Sequence, residues 1–156
     1  MGFVHIDHVG IVASTIEQAR EILGDALGLE LDEHRSQWPS GVYFPPEQTY
    51  NYFFQVGAGE TQVEVLVPEA DATSGTARFL QHRGAGLHHV CYACEDVHGE
   101  AERLLVNGLQ EIDLPRGADG RRNVAFFHPR STGGILTELI PVRPALLDTP
   151  RVHRSG

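Results

Sequence analysis

The chain repeats one pattern twice. His5-Ile6-Asp7-His8-Val9-Gly10-Ile11-Val12 and Gly86-Leu87-His88-His89-Val90-Cys91-Tyr92-Ala93 are both apolar runs with a histidine just before a valine. A helical stretch follows each, Thr15 to Leu27 in the first copy and Val97 to Val106 in the second. Each copy then closes on alternating apolar residues around one glutamate, Gln62-Val63-Glu64-Val65-Leu66-Val67 and Ile135-Leu136-Thr137-Glu138-Leu139-Ile140. A duplicated unit that supplies one His and one Glu per copy is a way to build a metal site where the copies meet.

Hydrophobic period and turn residues place the elements. Residues 3–13 predict a strand. Residues 15–27 predict an amphipathic helix with Ile16, Ala19, Ile22, Leu23 and Leu27 on one side, started by Ser14 or Thr15 and stopped at Gly28. A short strand at 29–33 leads into a Pro- and Gly-rich stretch, 37–49, expected as a long loop. Strands 50–56 and 60–67 form a hairpin across Gly57-Ala58-Gly59. A linker, 70–85, carries a short helical piece at 76–82. The second copy repeats the order with strand 87–94, helix 97–107, and strands 110–113, 123–128 and 134–140. The expectation is an α+β fold of two tandem βαβββ modules, about 3–69 and 86–142, within one domain spanning 1–142. A loosely ordered tail, 143–156, would follow.

Composition removes several function classes. No apolar stretch approaches the roughly 20 residues of a membrane-spanning helix. The first residues lack a basic, then long apolar, leader, so a cytoplasmic enzyme without a membrane partner is expected. A formal charge of −9 disfavours nucleic acid as a partner, because phosphate neutralisation needs clustered basic residues. All 12 basic residues are arginines, which excludes Schiff-base lysine chemistry and leaves anion recognition to guanidinium forks. Arg116, Arg121, Arg122 and Arg130 gather in the second copy as a candidate anion-facing patch. Cys91-Tyr92-Ala93-Cys94 lacks the helix start of a redox pair and the second pair of a zinc ribbon.

Strand alternation ranks the candidate ligands. Glu138 shares its face with Leu136 and Ile140, where an ionised carboxylate is costly unless a cation compensates it. Glu64 is weaker, since Gln62 and Glu64 could simply meet water while Val63, Val65 and Val67 face the core. His8 falls with Ile6 and Gly10, and His89 with Leu87 and Cys91. Parity turns His88 away from the site, which makes His89 the partner of His8. Two nitrogens and two carboxylates suit one borderline divalent ion: Co²⁺, Ni²⁺, Zn²⁺ or Mn²⁺.

Several stretches resemble one family. They are Gly86-Leu87-His88-His89-Val90, the Gly117-Ala118-Asp119-Gly120-Arg121-Arg122 turn, Phe126-Phe127-His128-Pro129-Arg130-Ser131-Thr132-Gly133-Gly134 and Ile135-Leu136-Thr137-Glu138-Leu139. Together with Ile6-Asp7-His8-Val9-Gly10-Ile11 and Thr61-Gln62-Val63-Glu64-Val65, they resemble the methylmalonyl-CoA epimerases of the vicinal oxygen chelate (glyoxalase-type) superfamily. The resemblance implies paired modules forming a cup-shaped mixed sheet around one divalent metal held by His8, Glu64, His89 and Glu138. It also implies a small-molecule substrate chelating through neighbouring oxygens, such as an acyl-CoA thioester, and a homodimer. Glu138 becomes one acid–base group. In related epimerases a second glutamate lies early on the third strand, but here that strand begins Tyr50-Asn51-Tyr52. Glu47, in the preceding segment, is the candidate substitute. Arg121, Arg122, Arg130 and Asn51 are candidate substrate-binding residues.

The first expectation is therefore a metal-dependent epimerase or racemase of a methylmalonyl-CoA-type thioester, acting by α-proton abstraction. A glyoxalase-like isomerase, or an oxygenase on an aromatic or natural-product substrate, keeps the fold and metal with other chemistry. A non-catalytic binder of small molecules is the third reading, and four ligands argue against it.

Overall fold

Runs of β-branched and aromatic residues make the strands, and local caps set the helices between them. A computed structural model describes residues 2–144. Strand β1 (Phe3–Val12) is followed by α1 (Ile16–Ala19), whose N-cap Thr15 accepts from the Gln18 N–H. The helix runs on through wide π-helical turns at Arg20–Ala26, with Leu27 N–H donating to Ile22 O. The expected uniform helix over 15–27 is thus two kinds of turn. Gly24, a weak helix former, lies inside the widened part. Gly28 ends it at a φ of +73°, a conformation glycine adopts without penalty.

Then come β2 (Glu30–Leu31), a single turn α2 (Glu33–Ser36), β3 (Val42–Phe44), β4 (Thr49–Gln55) and β5 (Gln62–Pro68). The expected loop at 37–49 is only partly loop, because Val42-Tyr43-Phe44 is a β-prone run that pairs with Thr49–Asn51. Helix α3 (Gly75–Arg83) links the halves. The second half supplies β6 (Gly86–Cys94), α4 (Val97–Val106), β7 (Glu111–Ile112), β8 (Ala125–Phe127) and β9 (Leu136–Pro141).

The nine strands form one curled, open mixed sheet in the order β2-β4-β5-β1-β6-β9-β8-β7, with β3 added beside β4. The order is symmetric about the antiparallel β1–β6 pair. The opening strand of each half pairs in parallel with the Glu-bearing strand of the same half, β1 with β5 and β6 with β9. This brings the four repeat-derived side chains onto four adjacent strands. Each half also packs its own core under its own helix: Ala19, Leu23, Tyr52, Phe54 and Val65 in the first, Val97, Ala101, Leu104, Ala125, Phe127 and Leu139 in the second. Among the described residues no helix is long and apolar enough to cross a membrane. The expected loose tail, 143–156, is corrected at its start, where Arg143 is held by Asp7 at 2.6 Å and by the Glu60 carbonyl at 2.8 Å; residues 145–156 lie outside the described residues.

Candidate metal centre

His8, Glu64, His89 and Glu138 meet on the inner face of the sheet, each offering an atom within 4.8 Å of the others. His8 Nε2 lies 3.1 Å from His89 Nε2 and 3.1 Å from an oxygen of both Glu64 and Glu138. His89 Nε2 lies 3.2 Å from Glu64 Oε2 and 3.0 Å from Glu138 Oε2. Adjacent ligands of an ion with bonds of about 2.1 Å stand roughly 3 Å apart, so the spacing fits one divalent cation. The donor chemistry fits too: imidazole nitrogens beside carboxylates suit a borderline ion. Glu64, which could have faced water, is 5% exposed.

The geometry depends on two irregularities that strand parity did not anticipate. Along the β1–β6 ladder, Ile6 pairs with Tyr92 and His8 with Cys91, so Asp7 is an extra residue on β1. Gly10 pairs with His89 and Ile11 with Leu87, so His88 is the extra residue on β6. Such bulges re-aim side chains. They correct two expectations. Ile6 is exposed while His8 is buried, and His88 lies beside His89 with their Nδ1 atoms 3.0 Å apart.

Cross-strand neighbours make room for the rings. A Cβ on Gly10 would stand 2.1 Å from His89 Cε1, so only glycine admits that imidazole. The matching position across from His8 is the buried Cys91. Neither Cys91 nor Cys94 is disulfide-bonded; burial raises the Cys91 thiol and lifts Cys94 to about 11, which keeps both protonated.

The surrounding contacts orient the donors. Asp7 Oδ1 accepts from His8 Nδ1 at 2.7 Å, which fixes the proton on Nδ1 and turns the Nε2 lone pair to the centre. Fully buried Asp7 is itself held by Arg35 Nη2 at 2.7 Å and Arg143 Nε at 2.6 Å. Asn51 Nδ2 donates to Glu64 Oε1 at 2.9 Å. Burial works against charge on every member, but the mutual contacts prevail. Hydrogen bonds from His8, Arg35 and Arg143 hold Asp7 well below the usual carboxylate range. Glu64 and Glu138 are lowered by His8 and His89. His8 is raised by Glu64 and Asp7, and His89 rises to about 9 beside Glu138 and Glu64. His88, by contrast, falls to about 4 through burial and the charge of His89.

A cleft opens over this centre, lined by Glu64, His89 and Glu138 of the four. Phe44, Glu47, Asn51 and Leu66 line it from the first half, and His88, Ile112, Leu114, Phe126 and Leu136 from the second. Glu47 therefore reaches the cleft, and its Oε2 accepts from Thr76 N–H at 2.8 Å and Thr76 Oγ1 at 2.9 Å. The arginines expected in substrate binding lie elsewhere. Arg122 is buried and clamped by both oxygens of Glu111, at 2.6 and 2.7 Å, and by Glu102 at 2.7 Å. Arg121 is exposed and pairs with Asp96 at 3.0 Å, and Arg130 is exposed on the turn at Pro129–Ser131. None of the three lines the cleft. The expected anion-facing patch is instead occupied largely by structural ion pairs. Nothing in the sequence points to Arg35 or Arg143, because charges 28 and 136 residues from Asp7 carry no local signal of their partner.

The comparisons agree with this architecture. A family model, the Glyoxalase/Bleomycin resistance protein/Dioxygenase superfamily, matches residues 7–126. The uncharacterized protein YqjC of Bacillus subtilis is 35% identical over 137 residues, covering 86% of this chain and 89% of that protein. The ethylmalonyl-CoA/methylmalonyl-CoA epimerase of Cereibacter sphaeroides is 30% identical over 138 residues, covering 86% of this chain and 95% of that protein. The crystal structure of methylmalonyl-CoA epimerase from Mycobacterium tuberculosis superposes with a TM-score of 0.74 at 26% identity, covering 91% of this chain and 90% of that one.

Proposed function

This chain belongs to the glyoxalase/bleomycin resistance/dioxygenase superfamily, and from that premise we propose that it is a divalent-metal-dependent epimerase of a short-chain malonyl-type acyl-CoA, methylmalonyl-CoA above all. The observation that carries the reading is the convergence of His8, Glu64, His89 and Glu138 beneath a cleft that also holds a second carboxylate, Glu47. The relatedness to epimerases supplies the substrate class. Co²⁺, Ni²⁺, Zn²⁺ and Mn²⁺ all suit the donor set.

A divalent ion held by the four ligands would polarise the substrate carbonyl and favour loss of the neighbouring proton. The remaining work falls to the chain. Of Glu138 and Glu47, the one that begins ionised takes the α-proton and leaves an enolate; the one that begins protonated gives its proton to the opposite face, inverting the carbon, so the pair exchanges protonation states in each turnover. Glu138 stays ionised through its contacts with His8 and His89, which suits it to accept. Glu47 is fixed rather than free to swing, because Thr76 holds its Oε2 while its side chain borders the cleft. Phe44, Leu66, Ile112, Leu114, Phe126 and Leu136 give an apolar wall that suits a small alkyl branch and excludes water. The same reading treats residues 1–142 as one domain of two modules.

The test is α-hydrogen exchange. Metal-loaded protein in D₂O should wash deuterium into the α-carbon of methylmalonyl-CoA. Glu138→Gln should slow this at least 10³-fold, and Glu47→Gln by about 10² or more. A folded, metal-loaded protein that exchanges nothing would refute the epimerase reading and leave another isomerisation on the same scaffold.

A further inference from the structure

His88 is the polar group of the cleft that the proposed reaction does not use. Its ring lines the cleft and packs edge-on against Phe79, with centroids 5.1 Å apart. The one side-chain hydrogen bond it makes among the described residues runs from Nδ1 to His89 Nδ1, at 3.0 Å. Two nitrogens facing each other share a single proton, so the state of one ring dictates that of the other. When His89 presents its Nε2 lone pair to a metal, a neutral imidazole carries its proton on Nδ1 and donates it to His88. His88 Nδ1 is then the acceptor, and the proton of neutral His88 is forced onto Nε2.

The cleft needs such a donor. Glu64 and Glu138 bring only acceptor oxygens when ionised, a proton on Glu47 is the one the reaction hands over, and Asn51 directs Nδ2 to Glu64. Among the second-half lining residues only His88 and His89 carry a side-chain N–H that the oxygens of an acyl group could meet. We propose that His88 is a substrate-binding residue whose tautomer is set through His89, and that its Nε2–H donates to a carboxylate or thioester oxygen of the bound acyl group. Metal loading and substrate recognition are thereby joined by one proton position. This inference rests on the metal and thioester reading above.

Two measurements test it. Long-range ¹H–¹⁵N correlation of zinc-loaded, histidine-labelled protein should show His89 protonated on Nδ1 and His88 on Nε2. His88 protonated on Nδ1 would overturn the inference. Zinc failing to perturb His89 Nε2 at all would break the metal reading instead, so the two failures are separable. Next, His88→Phe preserves the ring against Phe79, and His88→Gln keeps an N–H of similar reach. At saturating zinc, His88→Phe should raise KM for methylmalonyl-CoA about tenfold or more with kcat changed less than about threefold, and His88→Gln should recover most of the loss. An unchanged KM in zinc-loaded His88→Phe contradicts the proposal. Wild-type protein that exchanges no α-hydrogen would overturn the thioester half of the inference, while the tautomer measurement still judges the coupling.

Discussion

The two halves place equivalent imidazoles at the same centre but hold them in opposite ways. His8 leans on Asp7, an anion sealed from solvent and gripped by Arg35 and Arg143. His89 leans on His88, a neutral ring on the wall of the open cleft. Both supports are bulge residues immediately before the ligand, so the backbone device is shared and only the side chain differs. An ionised carboxylate behind an imidazole raises its basicity and fixes its tautomer strongly; a second imidazole fixes the tautomer but adds no charge. The first half is thus built as the rigid anchor of the centre. On the proposed reading the second half is the side that meets the substrate, since His88 lines the cleft.

Variants should expose that asymmetry. Asp7→Ala is expected to have the largest effect, because it leaves two guanidinium groups without their shared buried anion. We expect a stability loss of about 3–5 kcal/mol in urea unfolding. The milder Asp7→Asn should weaken zinc binding about 10–100-fold in a chelator competition. If Asp7→Asn and His88→Phe changed zinc affinity equally and neither changed KM, the two supports would be equivalent and the contrast would fail. Gly10→Ala acts on the second half alone. A methyl 2.1 Å from the His89 ring must displace it, so zinc affinity should fall at least tenfold, read as a reduced zinc-induced rise in Tm. Arg122→Ala should cost about 2–3 kcal/mol of stability and leave zinc affinity within about twofold, since its partners Glu111 and Glu102 lie outside the centre.

The smallest effect is one of pH. In metal-free protein His89 is raised to about 9, so the stability this contributes is fully present below its unfolded value near 6.5. It is lost as pH rises through about 9. Metal binding runs the other way, because protons leave the imidazoles as the ion enters. Between pH 6.5 and 9 the Tm of metal-free protein should fall while the gain on adding zinc grows. A flat zinc-induced gain across that window would contradict the assignment of His8 and His89 as the sites of proton release.

Much of this was legible in the sequence because duplication is a long-range signal written locally. The repeated His-Val and the Glu within alternating valines and leucines indicated both the tandem architecture and the four residues that meet. Parity failed at Asp7 and His88, where one extra residue in the β1–β6 ladder turns two consecutive side chains inward. A bulge depends on pairing with a distant strand, so neither segment reveals it alone. Arg122 is hard to read for a related reason. Arg122 reads as a surface anion binder beside Arg121, but Glu111, 11 residues earlier, folds back to take both prongs of its fork. Residues 42–44 read as loop between prolines, and pairing with β4 overrode that local preference.

The most direct test of the central claim is the anomalous scattering from crystals grown with zinc or cobalt. The account predicts one strong peak per chain, about 2.0–2.3 Å from His8 Nε2, His89 Nε2 and an oxygen of both Glu64 and Glu138. A peak elsewhere, or metal-soaked crystals in which the four side chains bond only to one another, would contradict it.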